Sequence, residues 1–141
     1  MATAAFVYAD ALSQHVLRDD HPMKPHRLRM VYELLDAYGV LARPEAVVLA
    51  PRQATEAELL RVHDAGYVEA VRRLSAGETL ANAGRYGFSA RGDNPVYPGM
   101  YEAALLSTGG SLVAAEAVVS GAAAVAFSSS GGLHQIGRAH V

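Results

Sequence analysis

Three short apolar runs constrain this chain more than any other feature: Ala4-Ala5-Phe6-Val7-Tyr8, Ala46-Val47-Val48-Leu49-Ala50 and Ala123 to Phe127. Each is too short for a buried helix and reads as a strand. The second lies between Pro44 and Pro51, and a Ser- and Gly-rich stretch follows the third. The segments between them carry apolar residues at helical spacing. Pro25 sits where a first helical turn tolerates a missing N–H. Leu28, Val31, Leu34, Leu35 and Tyr38 follow at intervals of three and four, and Gly39 supplies the stop. Strands alternating with helices predict an α/β fold, its parallel sheet covered on both faces. Ligands in such sheets bind beyond the carboxyl ends of the strands. The segment Ser128-Ser129-Ser130-Gly131-Gly132-Leu133-His134 occupies that position, so a site is expected near His134 on physical grounds alone.

Capping chemistry places two further helices. Thr55 and Glu58 form a Thr-x-x-Glu capping box, predicting a short helix that carries Leu59, Leu60 and Val62. Asp64 caps a second helix holding Tyr67, Val68, Val71 and Leu74, which Gly77 ends. Pro98 opens a long helix from Met100 to about Ser120. Gly109 and Gly110 lie inside it, each costing about 1 kcal/mol relative to alanine, and close packing against a neighbour is the expected reason. The stretch from Ala103 to Phe127 imitates a membrane span, but it holds Glu116, glycines and serines on a weakly apolar alanine base. It is read as a buried helix followed by a strand, with no membrane partner. Residues 11–20 and 78–96 lack periodicity and are expected to be loops, the longer one functional.

Composition closes off other classes. The 141 residues suit one domain, and 51% hydrophobic with 18% charged residues demand a core. A net charge of −2 argues against a nucleic-acid partner. With no cysteine, neither a disulfide framework nor a thiolate metal site is possible. That fits a reducing compartment, and the N-terminus carries no basic leader, so a cytoplasmic location is expected. Oligomeric state is left open.

Three ordered blocks carry a family resemblance. His21-Pro22-Met23-Lys24-Pro25-His26-Arg27-Leu28-Arg29-Met30 is similar to the N-terminal signature of class I histone deacetylases and of the bacterial acetoin-utilisation deacetylases. Gly92-Asp93-Asn94-Pro95-Val96-Tyr97-Pro98-Gly99-Met100-Tyr101, running on to Ser107-Thr108-Gly109-Gly110-Ser111, resembles the family's substrate-rim loop and the helix after it. Gly131-Gly132-Leu133-His134 resembles the opening of its Gly-Gly-Leu-His-His motif. The wording of the second block looks bacterial.

The resemblance implies an α/β/α sandwich shared with arginases and zinc-dependent hydrolysis of acetyl-lysine amides in proteins. By motif position, His134 matches the first of two proton-handling histidines, and Asp93 the rim carboxylate that binds the substrate backbone. Arg27, Gly131 and Gly132 match the lining of an internal cavity beneath the active site. Lys24 matches a residue that meets an inositol phosphate and a corepressor in some eukaryotic members, a partner not carried over to this chain.

Each residue also has an ordinary reading. A lone histidine after a Gly-rich turn is structural by default, Asp93 before Asn94-Pro95 is a turn former, and Arg27 is a solvated helix arginine. His21 and His26 read as structural, and His15 and His63 carry no family role. Glu116 reads as an exposed helix residue.

The chain departs from the family after His134. The motif requires a second histidine where Gln135 stands. The zinc ligands, an Asp-x-His pair and a second aspartate, and the catalytic tyrosine would all lie later. No residues here make up a catalytic zinc site. Residues 135–141 equal the translation of CAG ATC GGA AGA GCA CAC GTC, a C followed by the start of a common short-read sequencing adapter. Residues 1–134 are therefore expected to be the N-terminal portion of a deacetylase-like domain, and 135–141 a non-native tail. Such a chain is expected to be inactive alone. An acetylpolyamine amidohydrolase fragment and a short, non-catalytic acetyl-lysine-binding module remain alternatives.

Overall fold

The computed structural model describes residues 3–131. Its centre is a three-stranded parallel sheet of β1 (Ala4–Val7), β2 (Ala46–Leu49) and β3 (Val125–Ser128), in the order β2-β1-β3. Phe6 pairs in register with Val48 on one side and Phe127 on the other. β1 and β2 fall within the predicted apolar runs, β3 overlaps the third and passes it by one residue at Ser128, and the fold class is α/β.

Side chains alternate across the sheet, and its two faces have different fates. Ala5, Val47, Leu49 and Ala126 pack with Ala117 and Ala123, the last turns of the long helix and its exit. Val7, on the same face, is fully buried. Burial of a valine contributes about 1.5–3 kcal/mol. The covering helix is α4 (Met100–Val119), which packs on β1 and β3. Its paired glycines make that approach possible. A Cβ on Gly109 would lie 1.7 Å from the Arg52 carbonyl oxygen, and one on Gly110 3.3 Å from Ser128 Oγ. Close packing is thus the reason for the glycines.

The helices begin where local chemistry predicts. Helix α1 (His26–Ala37) follows Pro25, and Gly39 after it takes a left-handed φ of 66°. Helix α2 (Glu56–Leu59) starts at the Thr55 capping box, with both reciprocal hydrogen bonds present. Helix α3 (Ala65–Ser75) starts at Asp64, whose carboxylate accepts from the Gly66 N–H at 2.8 Å. Gly99, the residue before α4, has no capping side chain. The last residue of α3 fills that role: Ser75 Oγ accepts from the Tyr101 N–H at 3.1 Å and donates to Glu102 at 3.0 Å.

Four expectations need correction. The second sheet face is only partly covered among the described residues: Tyr32 of α1 stacks on Tyr8 beside Phe6, but Val48 is 41% and Phe127 58% exposed. The stripe on α1 is only partly covered, since Val31, Leu34 and Tyr38 are exposed and Leu28 and Leu35 half-buried. Tyr32, outside that stripe, makes the aromatic contact on Tyr8, at 4.5 Å. Helix α4 is not a buried helix: Met100, Gly109, Gly110 and Ala117 are buried, while Val118 and Val119 are exposed. It is long and apolar enough to cross a membrane by length and composition, yet here one face lies on the sheet. In each case the described residues cover one part and leave another exposed. Finally, the two aperiodic stretches contain short 3₁₀ turns, at Asp10–Ser13 and Ala83–Tyr86.

Candidate functional site

Because the strands are parallel, their carboxyl ends share one edge of the sheet. Residues 8–25 leave β1 there and residues 129–131 leave β3. Residues 87–99 arrive at the start of α4, where a Cβ on Gly99 would lie 3.6 Å from His15 of the first segment. Of the described candidates, Asp93 and Gly131 lie in these segments, and Arg27 lies just beyond the first, on α1.

The segment after β1 is anchored by buried Leu12 and Leu17 and then presents Arg18 and His21. The rim segment folds into a compact turn. The Ser89 N–H donates to the Asn94 carbonyl at 3.0 Å, the Gly92 N–H to Ser89 Oγ at 3.2 Å, and buried Pro95 fixes its exit. Arg18 and His21 grip this turn by its backbone. Arg18 Nη1 donates to the carbonyls of Ala90 at 3.1 Å and Gly92 at 3.2 Å, while its Nε pairs with Asp20. That guanidinium holds the Asp20 carboxyl below its usual range.

His21 is buried, at 4% exposure, and both ring nitrogens are engaged. Nδ1 accepts the Met23 N–H at 3.0 Å, which puts the ring proton on Nε2. Nε2 lies 3.0 Å from the Asp93 carbonyl oxygen and donates to it.

Asp93 thus has its carbonyl tied inward and its side chain exposed. The carboxylate takes no hydrogen bond or ion pair from the described residues. Such a group can accept two N–H donors from outside the chain. Four positions further along the chain, burial pushes the Tyr97 hydroxyl pKa upward.

No hydrogen bond or ion pair joins the other described candidates to Asp93. Arg27, the second residue of α1, is exposed, and no hydrogen bond joins it to Asp93. Gly131 lies against α4, its carbonyl 3.4 Å from Ser107 Oγ. Ser107 also accepts from Ser130 Oγ at 2.9 Å, so two hydroxyls fix the exit of β3 to the helix. Gly132 and His134 lie outside the described residues. Lys24, which the resemblance links to a eukaryotic partner, donates to the Asp19 carbonyl.

Arg18 is a site residue that the sequence reading missed, and His21 was read as structural. Nothing local reveals either, because their partners lie 72 to 74 positions away.

The edge of a parallel sheet, furnished with loops from three segments, defines an α/β protein with a ligand site at the strand ends. The histone deacetylase domain profile matches residues 21–139. The acetoin utilization protein AcuC of Bacillus subtilis is 37% identical over 135 residues, covering 95% of this chain and 34% of that protein. Type-1 histone deacetylase 1 of Dictyostelium discoideum is 34% identical, covering 92% and 26%. The AcuC protein of Staphylococcus aureus strain MRSA252 is 36% identical, covering 99% and 36%. The chain belongs to the histone deacetylase family. It spans about a quarter to a third of the length of the curated relatives it matches.

The family implies zinc. Among the described residues, no three His, Cys, Asp or Glu side chains are grouped to hold a metal ion. A catalytic zinc needs three protein ligands, so these residues do not fit it, and no step through a metal follows from them.

Proposed function

We propose that residues 1–134 are the N-terminal portion of a zinc-dependent deacetylase of the acetoin-utilisation type, which removes acetyl groups from lysines in cytoplasmic proteins. The observation that carries this reading is Asp93, whose carbonyl is held while its carboxylate stays exposed and unpartnered. A rim carboxylate in that state accepts backbone N–H groups of an acetylated peptide and orients the acetyl-lysine. Similarity to two AcuC proteins and a histone deacetylase over nearly the whole chain supports the same class.

Amide hydrolysis requires a proton to leave the attacking water and one to reach the departing lysine amine. An imidazole serves both transfers near neutral pH. In this proposal His134 is the first of two adjacent histidines that share these transfers, with Arg27, Gly131 and Gly132 lining the cavity beneath. Zinc is held by residues that follow position 134, and residues 135–141 are a non-native tail. The 141-residue chain is therefore inactive alone.

The test is hydrolysis of acetyl-lysine peptides and of free acetylated polyamines by the full-length protein. Peptide hydrolysis lost on chelation and restored by zinc is the expected result. Turnover of polyamines alone moves the protein to the amidohydrolase branch. Tight, zinc-free peptide binding by the 141-residue chain without turnover favours a binding module.

A further inference from the structure

The loop bearing Asp93 closes its own turn through Ser89, Gly92 and Asn94, and those bonds all lie within the loop. Glycines at 84, 87 and 92 widen its conformational range, and its ordering carries an entropic cost at each residue. Yet three of its carbonyls, from Ala90, Gly92 and Asp93, turn onto two side chains of the segment after β1. We infer that Arg18 and His21 are positioning residues for Asp93, a clamp that fixes the rim loop by its backbone and leaves the carboxylate free. The inference rests on the reading of Asp93 as a substrate-binding residue.

The chemistry of each partner suits that task. A guanidinium is a rigid fork of donors without an acceptor. Asp20 takes the Nε edge, which aims Nη1 at the two carbonyls. The imidazole is fixed from behind by Met23 and spends its single proton on Asp93. With both nitrogens engaged, His21 is left neither a free lone pair for a metal nor a site for proton transfer. A histidine serving only its own turn would need the Met23 contact and not the bond to a loop 72 positions away.

The test uses the full-length protein with His21→Ala, His21→Gln and Arg18→Ala. Glutamine restores a terminal N–H donor in place of Nε2. Two readouts are taken: amide hydrogen exchange over residues 89–94, and kcat and KM on an acetyl-lysine peptide. The clamp predicts faster exchange confined to 89–94 in both alanine variants, and KM raised about tenfold with kcat preserved, as the loss of one restraining hydrogen bond at His21 or two at Arg18 implies. His21→Gln should lie near wild type in both. Unchanged exchange and KM in both alanine variants overturn the clamp, and so does a global rise in exchange that glutamine fails to reverse. If the wild-type protein does not hydrolyse the peptide, the deacetylase reading fails, and loop exchange alone decides the clamp.

Discussion

The Nε2 of His21 lies 3.0 Å from the carbonyl oxygen of Asp93, joining two residues 72 positions apart at the carboxyl edge of the sheet. One hydrogen bond thereby links the His-Pro block that opens the family signature to the backbone of the residue whose carboxylate is proposed to meet the substrate. The backbone of Asp93 is structural and its side chain is not, so the two can be tested separately.

Replacing Asp93 should damage function without damaging the fold. Its side chain is exposed and unpartnered among the described residues, so Asp93→Ala should leave stability within about 0.5 kcal/mol of wild type. Loss of hydrogen bonds to a charged acceptor should lower kcat/KM by about tenfold to a hundredfold. Urea unfolding and steady-state kinetics on the full-length protein check both halves. A large loss of stability would show that the carboxylate holds the loop.

At Gly109, Ala should destabilise despite its better helix propensity. The propensity gain is about 1 kcal/mol. Against it, the new Cβ would lie 1.7 Å from the Arg52 carbonyl oxygen, and backbone on both sides limits relief, so overpacking costs about 3 kcal/mol. The net expectation is a loss of about 2 kcal/mol, read as a lower urea midpoint. A neutral or stabilised variant would refute the close approach of α4 to residues 52–54.

Acid should weaken the start of α2 in a defined window. The Arg52 guanidinium, together with the Thr55 N–H and hydroxyl, lowers the Glu58 carboxyl from 4.5 to about 2. A carboxyl depressed on folding contributes stability that is present above its unfolded pKa and lost as pH falls through the folded one. The stability gap between wild type and Glu58→Gln should therefore be full above pH 4.5 and close progressively towards pH 2. A gap unchanged across that range would mean that the ion pair contributes nothing.

Exposed apolar surface should make the 141-residue chain associate. Val48, Val125 and Phe127 on the partly covered sheet face, with Met30 and Leu34 on α1, leave large side chains in water. Among the described residues β3 has no partner strand on its outer side, which adds unpaired backbone groups. Light scattering after size exclusion should show oligomers or aggregate. A monomer with a sharp, reversible melt would contradict this prediction.

The elements legible in the sequence were those with local causes. Thr55, Glu58 and Asp64 announce their helices because a cap acts within three residues, and the three apolar runs announce strands by length and flanks. Asp93 was singled out through its motif. The clamp was not, because neither Arg18 nor His21 has a neighbour in sequence that names the loop it holds. Burial of α1 and α4 was overestimated for a related reason: an apolar stripe says that a face needs cover, and the cover itself is a matter of tertiary contact. Gly109 and Gly110 show the opposite outcome, since their cost inside a helix correctly signalled a close neighbour.

The most direct test of the account is to read the source locus across codon 134 with primers placed well downstream. The account predicts that the frame continues as Gly-Gly-Leu-His-His into an Asp-x-His segment, supplying the second histidine and the zinc ligands. Genomic DNA that encodes Gln135 to Val141 followed by a stop would contradict it and leave a metal-free chain whose exposed Asp93 serves binding alone.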